Sequence, residues 1–332
     1  MARTTFLISD VHAVHWQDTA QTLVRKRKAS ECIAQCIERT EGDVAALFTG
    51  DIVHRPDMPE VEGFNPVEAQ KITRPMVDVI AEKNAKTIYI PGNCDPWAGM
   101  KAHREELRAI FDPGHKIRNL SFSDGVHLSD DLLATHGHIF EAPLTAILSE
   151  ALPFLKNSNA SRRAGMQLKR AIKDAVTVLE ESTSREWDGS HRKAFWINRG
   201  IDLVLKAAPQ MLRRAIDDWK MNAMNRCYTK AVTYGADQLL HIPRVVTMGH
   251  THVATLLERD QLRELVDFET LPPEVYINTG TATGDRGRPS TFGMVAGDTV
   301  MLLQTDSPSR QPAVVVASAE LTPVMTRETI AV

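Results

Sequence analysis

Five short strings rich in metal-binding side chains each follow a run of apolar, often β-branched residues in this 332-residue chain. Such runs are typical of buried strands, so the repeated pattern is a strand that ends in a ligand. The runs span residues 5–8, 44–48, 87–90, 132–134 and 245–248. The strings are Asp10-Val11-His12, Gly50-Asp51, Gly92-Asn93-Cys94-Asp95, His136-Gly137-His138 and Gly249-His250-Thr251-His252. If the strands are neighbours in one sheet, these side chains converge at one edge.

The chemistry of these side chains favours divalent transition metals. Carboxylate, imidazole and side-chain amide groups form a mixed oxygen and nitrogen set, and there are enough of them for two ions. Taken singly, Asp-x-His is most often a surface turn, and Gly-Asp and Gly-Asn are ordinary turn dipeptides. Gly-His-Thr-His is more specific, because two histidines two residues apart can both reach ions at a strand end. Five strings in order, all at strand ends, favour a metal site over unrelated turns.

The order of elements predicts an α/β layered fold. Strands alternate with helices through the first 140 residues, with helices expected over 18–39 and 66–83. After residue 248, strands joined by short turns are expected to form a second, more antiparallel sheet; they span 255–258, 275–278, 292–295 and 300–304. The intervening residues 141–242 have helical patterning. They are predicted to form an all-helical insertion in a catalytic domain made of 1–140 and 243–332.

Composition excludes several classes of protein. A hydrophobic share of 43% indicates a globular chain with a substantial core. The net charge of −3 gives no bulk attraction to nucleic acid or membranes, which argues against a nucleic-acid partner. No window approaches about 18 uninterrupted apolar residues, so no transmembrane helix is expected. Cleavage of a signal peptide would remove the first ligands, so a cytoplasmic location is expected. Cys32 and Cys36 suggest buried small apolar side chains rather than a disulfide framework.

The predicted insertion carries segregated positive charge. Residues 156–230 contain 16 Lys plus Arg and 8 Asp plus Glu, a balance of +8 in an acidic chain. One interpretation is a solvated basic face, or an oligomerisation element, over a core of Trp and Met. The other is a cap whose basic side chains hold an anionic substrate, and it is favoured because the insertion lies between His138 and His250. The candidate substrate-binding residues are Arg162, Arg163, Lys169, Arg192, Lys193 and Arg199.

The order of the strings resembles the calcineurin-like metallophosphoesterase superfamily. The forms Gly92-Asn93-Cys94-Asp95, Thr135-His136-Gly137-His138 and Asn278-Thr279-Gly280 are most similar to the small YfcE-type phosphodiesterases. This resemblance covers about residues 4–140 and 243–304. The insertion is placed as in the UDP-2,3-diacylglucosamine pyrophosphatase of lipid A synthesis, a likeness of position only. The resemblance implies a β-sandwich flanked by helices.

The resemblance also implies a dinuclear metal centre bridged by Asp51. The first metal site would be completed by Asp10, His12 and His252, and the second by Asn93, His136 and His250. Asn93 has an alternative role as a helix cap. Two adjacent cations neutralise a phosphoester and lower the pKa of a bound water, and a metal-bridging hydroxide attacks phosphorus in line. Mn²⁺ is the first choice for an oxygen-rich mixed site, with Fe, Zn, Ni or Co as alternatives.

Cys94 departs from the pattern of many metallophosphoesterases, which carry a histidine directly after this asparagine. That histidine helps to protonate the leaving oxygen, whereas a thiol is a weak donor. The departure favours diesters over monoesters, unless Cys94 is only a tolerated small residue. His54 and His138 are the candidate substitutes for the proton donor, or else surface or supporting histidines. Asp95, which orients the histidine in those relatives, would here serve the turn or a metal ligand.

These observations predict a dinuclear metal-dependent phosphohydrolase that acts on a small anionic phosphoester, in the first place a phosphodiesterase. The residues predicted to take part in catalysis are Asp51, Asn93, His138, His54 and Cys94. A pyrophosphatase acting on a nucleotide-sugar or lipid-linked diphosphate is the alternative. A non-catalytic interaction module on the same fold is the alternative of another class. Such a module should have lost ligands, and none is lost here.

Overall fold

The computed structural model describes residues 3–14, 18–53, 65–92, 94–95, 101, 104–123, 125–129, 131–137, 243–265, 272–284, 288–305 and 311–322. The predicted helical insertion lies outside the described residues, and its boundaries and role stay predictions. Among the described helices, none combines the length and apolarity needed to cross a bilayer.

The described elements follow the predicted alternation of strands and helices. The strands are β1 Thr4–Ile8, β2 Val44–Thr49, β3 Lys86–Ile90, β4 Leu120–Phe122, β5 Val126–Leu128, β6 Leu132–Thr135, β7 Val245–Met248, β8 Thr255–Glu258, β9 Val275–Asn278, β10 Thr291–Ala296, β11 Thr299–Gln304 and β12 Val314–Glu320. The helices are α1 Ala20–Arg39, α2 Pro66–Glu82, α3 Arg104–Phe111 and α4 Arg259–Leu265.

Both long helices begin at a capping residue that the sequence supplies. The Thr19 hydroxyl accepts a hydrogen bond from the Thr22 amide at 3.1 Å, which satisfies one free donor at the start of α1. The Asn65 side chain caps α2 in the same way, with Pro66 at the first helical position. The predictions of helices over 18–39 and 66–83 are therefore confirmed within two residues.

Two mixed sheets carry these helices. The seven-stranded sheet has the order β12-β11-β10-β1-β2-β3-β4, and the five-stranded sheet has the order β5-β6-β7-β9-β8. Strands β1 to β4 run parallel to one another, as do β6, β7 and β9. The predicted α/β architecture, with sheets flanked by helices, is confirmed.

One expectation about the sheets is wrong: the four C-terminal strands do not form a sheet of their own. Strand β9 pairs parallel with β7 in the second sheet, and β8 adds antiparallel to β9 at the edge of that sheet. Strand β10 instead pairs antiparallel with β1 and extends the first sheet. Packing explains this choice of partner. The Phe292 ring stacks on Phe6, and Gly293 lies opposite Leu7, where a Cβ would be 3.1 Å from the Leu7 Cβ.

The central strands are buried on both faces, which explains their unbroken apolar runs. On one face, Phe6, Phe48 and Tyr89 belong to the core that includes the inner faces of α1, α2 and α3. On the other face, Leu7 belongs to a core with Ile277 and other residues of the second sheet. Burial of both faces holds the strands in register, and parallel strands deliver their carboxyl ends to one edge of a sheet.

Candidate metal centre

The described residues of the predicted site follow the carboxyl ends of five strands, as the sequence pattern required. Asp10 and His12 follow β1, Asp51 follows β2, and Cys94 follows β3. His136 follows β6, while His250 and His252 follow β7. Asn93, His54, His138 and the six basic residues of the predicted insertion lie outside the described residues.

A first group of donors consists of Asp10, His12 and His252, whose ligand atoms all lie within 4.8 Å of one another. The Nε2 atoms of the two histidines are 3.1 Å apart. Asp10 Oδ1 lies 3.1 Å from His252 Nε2 and 3.6 Å from His12 Nε2. It is buried and accepts no hydrogen bond. A buried carboxylate oxygen without a hydrogen bond is costly, and a cation between these three groups would satisfy it.

A second group consists of Asp51, His136 and His250, all buried. His136 Nε2 lies 3.4 Å from Asp51 Oδ2 and 3.2 Å from His250 Nδ1. The other nitrogen of His136, Nδ1, donates to the Thr49 carbonyl at 2.7 Å, which leaves Nε2 directed at the group. Asp51 Oδ2 also lies 3.9 Å from His12 Nε2, so this carboxylate sits between the two groups.

The electrostatics of the two groups suit divalent cations. Burial alone would raise the pKa of Asp10, but the His252, His12 and His136 side chains hold it well below its usual range. Burial likewise opposes ionisation of Asp51, while His136 and His12 hold its pKa low. Burial lowers the pKa of His136, but the Asp51 and Asp10 carboxylates raise it to about 10 on balance. Two ionised carboxylates among four imidazoles form a donor set that fits divalent transition metals.

The backbone of most of these donor residues adopts the left-handed conformation, which is uncommon for residues other than glycine. Asp10, His12, Asp51, His250 and His252 all have positive φ, between 42° and 68°. Asn84 and His115 are the other non-glycine residues with positive φ in the described part of the chain. Left-handed non-glycine residues cost on the order of 1–3 kcal/mol each and persist where surrounding structure holds them. The strain is concentrated at the turns that carry the two donor groups, and sequence analysis did not foresee it.

Comparison with known proteins agrees with this geometry. The family model for calcineurin-like phosphoesterases matches residues 4–254. The chain belongs to that family. No curated protein matches it. Among solved structures, it is similar to a cold-active protein-tyrosine phosphatase of the psychrophile Shewanella sp., with 12% identity over 96% of this chain and 81% of that chain. The TM-score of 0.35 is too low to carry any argument.

Three glycines let the ligand turns of this calcineurin-like phosphoesterase pack closely. A Cβ at Gly50 would lie 2.5 Å from the His136 ring, and one at Gly92 would lie 2.1 Å from Asp51 Oδ1. A Cβ at Gly249 would lie 2.3 Å from Asp10 Oδ2. Each glycine in the Gly-Asp, Gly-Asn and Gly-His strings therefore leaves room for a metal-facing side chain from another strand.

Threonines after β9 hold the first ligand turn. Thr281 and Thr283 donate hydrogen bonds to the carbonyls of Asp10 and Val11 at 2.9 and 2.7 Å. Both hydroxyls are buried, and they fix two consecutive peptide groups of a left-handed turn. Sequence reasoning missed them, although two threonines spaced two residues apart directly after the Asn-x-Gly string were a signal.

Asn278 has the matching role for the last ligand turn. Its side-chain amide donates to the Gly249 carbonyl and the Thr251 hydroxyl, both at 2.9 Å, and its oxygen accepts from the Gly280 amide at 3.0 Å. The loop after β9 therefore braces ligand turns that belong to two different sheets.

Asp95 and Lys26 also stabilise the turns that carry the donor groups. Asp95 Oδ2 accepts from the Ile52 amide at 2.9 Å and the Tyr89 hydroxyl at 2.5 Å, so it ties the Asp51 turn to β3. This agrees with the expectation that Asp95 serves a turn. The buried Lys26 ammonium donates to the His12 carbonyl at 2.6 Å and to the Asp18 carboxylate at 2.8 Å.

Proposed function

We propose that this member of the calcineurin-like phosphoesterases is a dinuclear metal-dependent phosphodiesterase. The observation that carries the proposal is the pair of carboxylate–imidazole groups with Asp51 between them. In this proposal Asp51 bridges the two ions. Asp10, His12 and His252 hold one ion, and His136, His250 and Asn93 hold the other.

Two divalent cations bound there would neutralise the phosphoester, hold its oxygens and lower the pKa of a bound water. The chain's own residues position that chemistry. The hydrogen bond from His136 Nδ1 to the Thr49 carbonyl orients the ring so that Nε2 points toward Asp51 and His250. The amide of Cys94 donates to Asp51 Oδ1 at 2.7 Å and fixes the orientation of the carboxylate.

The preference for diesters rests on Cys94. Burial raises the pKa of this thiol, and the Asp51 carboxylate beside it raises it further, so the side chain is a neutral thiol and a poor proton donor. A diester with a good leaving group tolerates this lack, whereas a monoester dianion needs more help at its leaving oxygen. His54 and His138 remain the proposed proton donors, because each follows a metal-facing residue in the sequence.

A pyrophosphatase activity is the second candidate, and the charge of the predicted insertion favours it. A balance of +8 over 156–230 suits a substrate with more than one phosphate, such as a nucleotide-sugar or lipid-linked diphosphate. In that proposal the insertion is a cap, and its Trp and Met residues form an apolar wall for a nucleobase or acyl group.

Metal analysis combined with kinetics tests the proposal. Elemental analysis should find two divalent ions per chain, and the protein should hydrolyse bis-p-nitrophenyl phosphate with a higher kcat/KM than p-nitrophenyl phosphate. Asp51→Asn should lower metal content and abolish turnover. Cys94→His should raise the monoester activity relative to the diester activity. An Asp51→Asn protein with full metal and near-normal rate would contradict the two-metal proposal, and a clear monoester preference would contradict the diester assignment.

A further inference from the structure

The position of the Cys94 side chain is not explained by the absence of a proton-donating histidine at this residue. Its Sγ atom forms a third group with His12 and Asp51, in which the ligand atoms all lie within 4.8 Å of one another. His12 and Asp51 also belong to the two donor groups described above. The thiol therefore lies beside the place where those groups meet.

We propose that Cys94 is a sulfur ligand of the ion held between His12 and Asp51. This inference rests on the proposed two-metal function and adds a donor to it. Cys94 would then have a role of its own in the site, beyond the absence of a histidine at this position.

The backbone around Cys94 is fixed on both sides, which makes the sulfur position a built feature. The Cys94 amide donates to Asp51 Oδ1 at 2.7 Å, and this ties the residue to the proposed bridging carboxylate. The next residue, Asp95, is buried and bound to the Ile52 amide and the Tyr89 hydroxyl. Because the Cys94 amide and the Asp95 side chain are both held, the main freedom of the thiol is rotation about its own side-chain bond.

The distances fit a shared cation. Metal–ligand bonds of about 2.0–2.3 Å place the ligand atoms of a tetrahedral zinc roughly 3.3–3.8 Å apart. The ligand atoms of the Cys94 group all lie within 4.8 Å of one another, which is at most about 1 Å more than a closed site requires. Rotation of the thiol and of the mostly buried His12 ring, whose side chain is 12% exposed, would bring these atoms closer without backbone movement.

A second observation points to a cation at the same place. Asp10 Oδ1 is fully buried, accepts no hydrogen bond and lies 3.6 Å from His12 Nε2. Its free lone pairs face the imidazole that also borders the thiol. A cation next to His12 would satisfy this oxygen and would be within reach of the Cys94 sulfur.

A sulfur donor changes which ion the site prefers. A cation bound there would displace the proton of the thiol, and the resulting thiolate is a soft ligand that suits zinc and iron, whereas Mn²⁺ prefers oxygen ligands. The proposal therefore reverses the sequence-based choice of Mn²⁺ for at least one of the two ions. It also explains how a residue that cannot protonate a leaving group still contributes to the site.

Cobalt substitution tests this ligand directly. The full-length protein is stripped with a chelator and titrated with Co²⁺ without oxygen, while cobalt content is measured separately. Wild type should bind two Co²⁺ and develop an intense sulfur-to-cobalt charge-transfer absorption in the near ultraviolet. Cys94→Ser and Cys94→Ala should still bind cobalt but lack this absorption. Cys36→Ser, which changes a half-buried thiol on α1, is the matched control and should keep it.

The relative affinities for Zn²⁺ and Mn²⁺ provide a second test of the sulfur ligand. Competition between Zn²⁺ and Mn²⁺ should favour Zn²⁺ in wild type, and Cys94→Ser should lower that preference by at least about tenfold, the lower bound for losing even an outer partner of a metal. Two bound Co²⁺ without the absorption, or an absorption that survives in Cys94→Ser, would overturn the sulfur ligand and leave the two-metal function intact. Failure of wild type to bind cobalt at all would overturn both.

Discussion

The residues that face the proposed ions hold backbone conformations that side chains normally avoid. Asp10, His12, Asp51, His250 and His252 are all left-handed, and neighbouring turns approach them so closely that glycine is required. Strain of this kind persists only where other contacts stabilise it. The metal-facing turns are therefore rigid because of what surrounds them.

Gly92→Ala tests this rigidity at the proposed bridge. The new Cβ would lie 2.1 Å from Asp51 Oδ1 and 2.5 Å from the Asp51 amide, so the carboxylate must move. We expect metal content and kcat to fall together, measured by elemental analysis and diester hydrolysis. Gly114→Ala is the control, because its Cβ meets nothing within 4 Å. Its left-handed backbone should cost about 1 kcal/mol of stability without changing metal content. Full metal and activity in Gly92→Ala would show that the turn is pliable.

At the scale of elements, the segment formed by the end of β9 and the loop after it connects the two sheets at the edge that carries the donor groups. It supplies Thr281 and Thr283 to the Asp10 turn of the first sheet and Asn278 to the Gly249 turn of the second. These hydrogen bonds, together with the one from the His250 amide to Asp10 Oδ2 at 2.9 Å, hold the two donor groups in place relative to each other.

Thr281→Val and Thr283→Val should loosen the Asp10 turn. Each change removes a donor from a buried carbonyl, at a cost of about 1–3 kcal/mol in stability. Metal affinity, measured by calorimetry, should fall as well, and Thr→Ser at the same positions should restore both. Thr299→Val is the matched control, because its hydroxyl bonds an exposed Glu320 carboxylate at 3.0 Å. A loss of stability without any loss of metal affinity would limit these threonines to a folding role.

Sequence patterns predicted the individual strands and helices better than they predicted which strands pair in the sheets. The runs ending at Ile8, Phe48 and Ile90 were predicted to be buried strands, and the helices predicted over 18–39 and 66–83 are the observed α1 and α2. Nothing in the local pattern of β10 said that it would return to pair with β1, because pairing over that separation is decided by packing. The threonine hydrogen bonds and the left-handed turns were missed for the same reason.

At the scale of the whole molecule, metal binding is linked to pH through His136. Its pKa of about 10 means that the chelator-treated protein carries a proton there at pH 7, which a cation must displace. Calorimetry in buffers of different ionisation enthalpy should therefore show proton release on binding, and metal affinity should rise with pH. Binding at pH 7 without proton release would contradict this.

The stability of the chelator-treated protein should depend on pH in the opposite direction. The raised pKa of His136 contributes stability that is complete below its ordinary value of 6.5 and is lost as pH rises through about 10. The lowered pKa values of Asp10 and Asp51 contribute stability above their ordinary value of 3.8, which is lost at lower pH. The increase in melting temperature on adding metal should therefore grow between pH 6.5 and 10. A constant increase over that range would contradict the assignment.

The KM values of large and small substrates should test the role of the predicted insertion, which lies outside the described residues. A small aryl diester needs only the ions, whereas a nucleotide-sugar or lipid-linked diphosphate would also need the basic side chains of a cap. Replacing Arg162 and Arg163 with Ala, and separately Arg192 and Lys193, should raise KM for such diphosphates by about tenfold per lost charged contact, since a charge-assisted hydrogen bond contributes about 1.5–3 kcal/mol. The KM for bis-p-nitrophenyl phosphate should stay unchanged. Arg74→Ala is the control, because Arg74 is exposed on α2 and pairs with Asp78. Equal effects of all these variants on the large substrate, or a similar rise in KM for the small ester, would show that the insertion is not a substrate cap.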